Sequence, residues 1–119
     1  MPTPKAGWVP VQLNCDLATD TITYGCPGIT GTVKQITVAI PTLPTSGVLD
    51  VYKNAEKLCT QINMATTVVA GVAEDATLVT TVKVLRIAAT DVLSANWNVG
   101  TAGSYVGGGC TVWIEPDTW

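Results

Sequence analysis

The chain has no histidine in 119 residues, and only 13% of its positions are charged. Histidine titrates between about pH 5 and pH 8, which makes it the commonest general base and metal ligand. Its absence excludes Ser-His-Asp and Cys-His catalysis and the commonest zinc sites. No apolar run approaches the ~18 residues that a membrane-spanning helix needs. The basic residues Lys5, Lys34, Lys53, Lys57, Lys83 and Arg86 are scattered and form no stripe to neutralise phosphates. With a formal net charge of −3, the chain is expected to bind neither nucleic acid nor membrane. Its start, Met-Pro-Thr-Pro-Lys, is unlike a signal peptide, so a cytosol-like compartment is expected.

The length is that of one domain with a real core. Charge runs at about half the usual ~25% of positions, which leaves the surface to Thr, Ser, Asn and Gly or to partners. The four cysteines, Cys15, Cys26, Cys59 and Cys110, have no zinc-ribbon spacing. Without histidine, a zinc site would need all four thiolates. Free thiols are the first expectation in a reducing compartment. If a bridge forms, Cys15–Cys26 is the expected pair, because a hairpin would bring the two together. No cofactor is expected.

Residues 1–10 hold Pro2, Pro4, Lys5, Trp8 and Pro10. Proline fixes φ and removes backbone donors, so an extended arm is expected there, with residues 11–119 as the folded domain. The arm reads either as a frayed terminus or as an element that docks on a neighbour through Trp8. Beyond it, apolar residues recur with period two. Ile36, Val38 and Ile40 share one face of a strand over 33–40, and 48–52 alternates again. Lys53-Asn54-Ala55-Glu56 is a tight reversal, with Asn54 suited to a left-handed turn. Leu58, Thr60 and Ile62 are expected on one face of the return strand. Further strands are predicted near 8–13, 21–24, 76–82, 84–87, 91–99 and 110–114, and one helical turn is allowed over 66–76. The spacing suits a sandwich or barrel: an all-β, jelly-roll-like antiparallel β-sandwich of about eight to ten short strands.

Nothing local supports catalysis. Glu74 and Asp75 are adjacent, so on a strand they point to opposite faces and cannot flank one bond. Asp91 is expected to hydrogen-bond local backbone donors. The glycine-rich stretch 100–109 precedes a strand rather than a helix, so it is expected to be a flexible connection and not a phosphate cradle. Ser46, Ser94 and Ser104 lack a base. The chain is not expected to be an enzyme.

The tryptophans say more. Trp97 shares the parity of Leu93, Ala95 and Val99, which assigns it to the core. Trp113 has the opposite parity from Cys110, Val112 and Ile114, and shares that of Thr111 and Glu115. It faces outward, either towards a partner or lying across polar side chains. Trp119 is expected to pack over an edge or contact a neighbour.

The strand Gly-Thr-Val-Lys-Gln-Ile-Thr-Val-Ala-Ile (31–40), the Val-Leu-Asp-Val-Tyr-Lys-Asn hairpin (48–54), the segment 87–99 and the closing Cys-Thr-Val-Trp-Ile-Glu-Pro resemble a known family. They are similar to the small jelly-roll domains of bacteriophage virions, found as capsid decoration (cement) proteins and fibre tips, which look like trimeric tumour-necrosis-factor or C1q heads. The resemblance implies a homotrimer on the outer surface of an icosahedral head, assembled in the host cytoplasm and stabilising the shell. Its implied partners are the major capsid protein and its own copies. The arm (Pro2, Pro4, Lys5, Trp8) would contact the shell, and Trp113, Thr111 and Glu115 would form the trimer interface. The alternative it leaves open is a fibre tip or carbohydrate-binding module, with Trp97, Trp113 or Tyr105 stacking on sugar rings.

Overall fold

Period-two alternation is cleanest in the last strand, where Cys110, Val112 and Ile114 are buried while Thr111, Trp113 and Glu115 are only half-buried. Repeated along the chain, this pattern gives strands with one greasy face, which two sheets bury against each other. The computed structural model describes residues 5–117. Its strands are β1 (Val9–Gln12), β2 (Thr21–Gly25), β3 (Gly31–Ala39), β4 (Ser46–Lys53), β5 (Glu56–Lys57), β6 (Ile62–Asn63), β7 (Glu74–Asp75), β8 (Arg86–Ile87), β9 (Leu93–Thr101) and β10 (Gly109–Pro116), with one helical turn, α1 (Val82–Leu85).

The first sheet runs β1-β10-β3, with β7 and β8 both pairing with the far edge of β3. The second runs β2-β9-β4, with β5 and β6 sharing the far edge of β4. Every pairing is antiparallel. If β5 with β6, and β7 with β8, are each taken as one interrupted strand, the order is that of a jelly roll. The chain is thus an all-β jelly-roll sandwich.

Both sides of the sandwich are closed. On one, Leu58 N still donates to Val51 O of β4 at 2.9 Å while residues 58–60 pair with 77–79: Cys59 bridges Leu78, Thr60 N donates to Thr77 O at 2.8 Å, and Val79 N to Leu58 O at 3.0 Å. Lys53 reinforces this seam. Its buried ammonium leaves the second sheet and donates to the carbonyls of Lys83 (3.3 Å) and Arg86 (3.0 Å). On the other side, the Trp97 indole N–H donates to Thr23 Oγ1 at 3.1 Å, and that hydroxyl donates to Leu13 O at 2.7 Å. Trp97 is fully buried, so this relay satisfies its one polar atom and ties β9 and β2 to the segment after β1.

Several expectations are corrected. Strands expected over 76–82 and 84–87 are replaced by the two-residue β7, the Leu78 bridge, α1 and the two-residue β8. The chain here must turn from the seam back to β3, and tertiary pairing overrides the β-branched run. The helical turn falls at Val82–Leu85 and not within 66–76. Leu58 and Ile62 face inward, but Thr60 is exposed and Cys59 takes the core position. The reversal at Asn54 is as read: φ is 54° and Lys53 pairs with Glu56. Its carboxamide accepts from Val92 N at 3.0 Å and donates to Asp91 Oδ1 at 3.1 Å.

Thr23→Val removes the relay while improving β-propensity. It leaves the Trp97 N–H and the Leu13 carbonyl unpaired, a cost of about 1–3 kcal/mol. Urea unfolding should show a lower midpoint with an unchanged m-value. An equal or higher midpoint would mean that the relay contributes nothing.

Candidate functional site

The outer face of the first sheet is built by the residues that alternate with its core. On β10 these are Thr111, Trp113 and Glu115, and on β1 they are Pro10 and Gln12. Pro10 pairs with Trp113 on one side, and Gln35 of β3 pairs with it on the other. A register shift between Trp113 and Ile114 fits one extra β3 residue, Lys34, into the ladder. Polar contacts lace the face: Thr111 Oγ1 to Gln12 Oε1 at 2.9 Å, and Gln35 Nε2 to Asp75 Oδ1 at 2.8 Å. Its ion pair is loose, Lys34 Nζ to Glu115 Oε1 at 4.0 Å. This face is poor in net charge and centred on an indole.

The expected arm and the expected interface meet on this face. Trp8 Nε1 donates to Glu115 Oε2 at 3.3 Å, so Trp8 is half-buried beside β10. Lys5 is exposed and starts a turn closed by Trp8 N to Lys5 O at 3.2 Å, so residues 5–8 bend where an extended arm was expected. Residues 9 and 10, also assigned to the arm, belong to β1. Pro2, Pro4 and Trp119 lie outside the described residues.

No Cys15–Cys26 bridge exists; all four cysteines are free. The hairpin behind that expectation does not form, because β1 and β2 lie in different sheets. Cys15 bridges Gly108 at one end of the sandwich, whereas Cys26 follows β2 at the other. Five residues of strand span about 16 Å, and a disulfide needs Cα atoms within roughly 7 Å. Cys59 and Cys110 are buried in the core, where desolvation pushes their thiols up to about 11 and about 12.

The glycine-rich connection is also corrected. Gly107 is buried at φ 116°, and a side chain there would run into the Cys15 carbonyl. A Cβ on Gly108 would sit 2.9 Å from Ile40 and 3.3 Å from Trp97. These glycines are therefore demanded by close packing, and the loop is no loose connector. Tyr105 is buried beneath it, with its hydroxyl pKa raised by desolvation and by Cys15. Neither Tyr105 nor Trp97 is accessible for stacking on a ligand.

Beside the end of β10, Arg86 makes a bidentate contact with Asp117 (2.6 and 2.7 Å). Asp91 accepts from Ala88 N at 2.8 Å; this bond and the Asn54 amide hold its carboxyl below the usual range. Both carboxylates serve structure. Among the described residues, no group of three or more His, Cys, Asp or Glu side chains could hold a metal. The sequence reading overlooked Ile22, Tyr24 and Tyr52, which project from the outer face of the second sheet around a shallow depression. Their signal was present, since Ile22 and Tyr24 alternate with the inward Thr23. No protein-family model, curated protein or solved structure matches this chain.

In native protein, a thiol reagent should modify exposed Cys26 quickly and the buried Cys15, Cys59 and Cys110 only on unfolding. Fast labelling of a second thiol would contradict the burial. The raised thiol pKa values also set a pH dependence. The unfolded chain ionises from about pH 9, while the native thiols stay protonated up to about 11 and 12. Stability is therefore full below pH 9 and falls as pH rises through that window, by roughly 3 kcal/mol for Cys59 alone. Cys59→Ala should flatten the alkaline fall in melting temperature, and an unchanged slope would remove Cys59 from the account.

Proposed function

We propose that this chain is a viral structural protein, a capsid decoration protein that binds the outer surface of an icosahedral phage head as a homotrimer. The observation that carries the reading is the first sheet's outer face. Trp113 and Trp8 lie there beside Gln12, Gln35 and Thr111, and the charges around them are held in contacts: the loose Lys34–Glu115 pair, Asp75 on Gln35, and Arg86 on Asp117. Such a face costs little to desolvate, and large aromatic rings dominate interface energetics. Packing copies side by side through it would bury the ~1,000 Å² or more that a specific interface requires. The jelly-roll order supports the same reading, because jelly rolls are a recurrent architecture of viral capsid domains. A trimer tethered at several points gains effective concentration for each further contact. Binding only the closed shell stabilises it by linkage. Residues ahead of Trp8 would supply contacts to the major capsid protein.

Light scattering after size exclusion tests the assembly. The wild type should run at three times the chain mass. Trp113→Glu should run as a folded monomer, judged by near-ultraviolet circular dichroism, with shell binding at least tenfold weaker. Thr111→Arg, at a position partly open to solvent, should do the same if Trp113→Glu fails to fold. Deleting residues 1–7 stops short of Trp8 and β1, so it should preserve the trimer and abolish shell binding. A wild-type monomer at every concentration, with no affinity for shells, overturns the proposal.

A further inference from the structure

The opposite side of the sandwich carries a differently built surface. On β9 the outward residues are Ser94 and Asn96. Ser94 is paired in register with Tyr24 of β2 on one side and with Tyr52 of β4 on the other. Two aromatic side chains therefore stand in one row with a small hydroxyl between them. In the next row, Asn96 lies between Ile22 and Asp50. The result is a trough along β9, with Tyr24 and Ile22 as one wall and Tyr52 as the other. The Asn54-Ala55 turn borders one end, and the volume of this open depression is about 350 Å³. Tyr24 is 67% exposed and Ile22 49%, which is unusual for such large side chains on a sheet.

We propose that this trough binds a neutral saccharide. The walls stand two strand spacings apart, close to 10 Å. A ring held between two aromatic faces at contact distance needs about 8 Å. The axial C–H bonds of a pyranose carry partial positive charge and pack against the negative face of a phenol ring. Sugar hydroxyls need donors and acceptors together, and a carboxamide and a hydroxyl each supply both. Among the described residues, neither the Ser94 hydroxyl nor the Asn96 carboxamide has a side-chain hydrogen-bond partner, so both are free for a ligand. The charge balance selects a neutral sugar. Asp50, the one ionisable group in the floor rows, already takes Gln61 Nε2 at 2.9 Å and Lys57 Nζ at 3.3 Å. No cation is left over for an acidic sugar. A second copy of the chain fits less well, because the trough is concave and its rim is the convex pair Ile22 and Tyr24.

The proposal does not depend on trimer formation, since the trough lies on the face away from Trp113. An array of neutral and acidic oligosaccharides identifies a binder, and saturation-transfer NMR with that oligosaccharide confirms it on the full chain. Binding of at least one neutral hexose or N-acetylhexosamine oligosaccharide is expected. Tyr24→Ala should weaken it tenfold or more, and Asn96→Ala by a similar factor. Tyr24 is exposed, so its loss should leave circular dichroism unchanged. Trp113→Glu should keep the sugar affinity even if it loses the trimer. Absence of any neutral ligand at millimolar concentration, binding indifferent to Tyr24→Ala, or a preference for acidic sugars overturns the assignment. So does a Tyr24→Ala variant whose only change is its oligomeric mass, which would make the trough a self-association face.

Discussion

An indole buried between two sheets contributes a large apolar area, but only if its N–H finds a partner, because an orphaned donor there costs much of what burial supplies. Trp97 meets that condition through Thr23, whose hydroxyl passes the bond on to the Leu13 carbonyl. The consequences spread outward. Thr23 must point inward, which sends its neighbours Ile22 and Tyr24 to solvent. The Leu13 carbonyl must sit at the sandwich edge, which sets where the chain leaves β1. Gly108 must lack a side chain, because the Trp97 ring and Ile40 occupy that space. The seam on the opposite side is its counterpart, with buried Lys53 using a charge to reach backbone carbonyls across the gap. A jelly roll this short in strands is held at its two long edges as much as through its middle.

What was legible in the sequence follows from the reach of each signal. Parity along β9 and β10 is local: Leu93, Ala95 and Trp97 announce one face and Trp113 the other, whatever pairs beside them. The Asn54 reversal is local too, because a carboxamide tolerates a left-handed backbone. The stretch from 58 to 87 was not legible. Its short strands are defined by which edge they meet, and Cys59, not Thr60, turns inward because the chain after Leu58 departs from β4 to pair with 77–79. No period within the segment encodes that departure. The glycine-rich connection misled for a related reason. Glycine signals either freedom or crowding, and only the position of Cys15 and Trp97 against Gly107 and Gly108 distinguishes them.

The candidate surfaces divide in the same way. Trp113 was found by parity, but the contact of Trp8 with Glu115 on the same strand was not, since the turn over residues 5–8 folds a segment that its prolines advertise as extended. The trough on the second sheet was missed because its chemistry lies in no single strand. Tyr24, Ser94 and Tyr52 become a row only when β9, from much later in the chain, is inserted between β2 and β4. A small residue flanked by two large ones across three strands is a feature of register, and register is decided by the core on the other side.

The low charge now has a physical reading. A sandwich is only about 10 Å thick between its sheets, so every strand position that is not core is a candidate for contact. Here the two outer faces carry different chemistry: indoles with hydrogen-bonded amide and hydroxyl groups on one, phenols beside Ser94 and Asn96 on the other. Charged side chains placed on either would have to be desolvated when a partner arrives, at a cost that ion pairing repays poorly. The charges that do lie near the faces are paired, in Lys34–Glu115, Arg86–Asp117 and Lys57 with Gln61 on Asp50, and Lys53 is engaged at the seam. The two faces lie on different sheets of one close-packed core, so a partner on one leaves the other open to solvent.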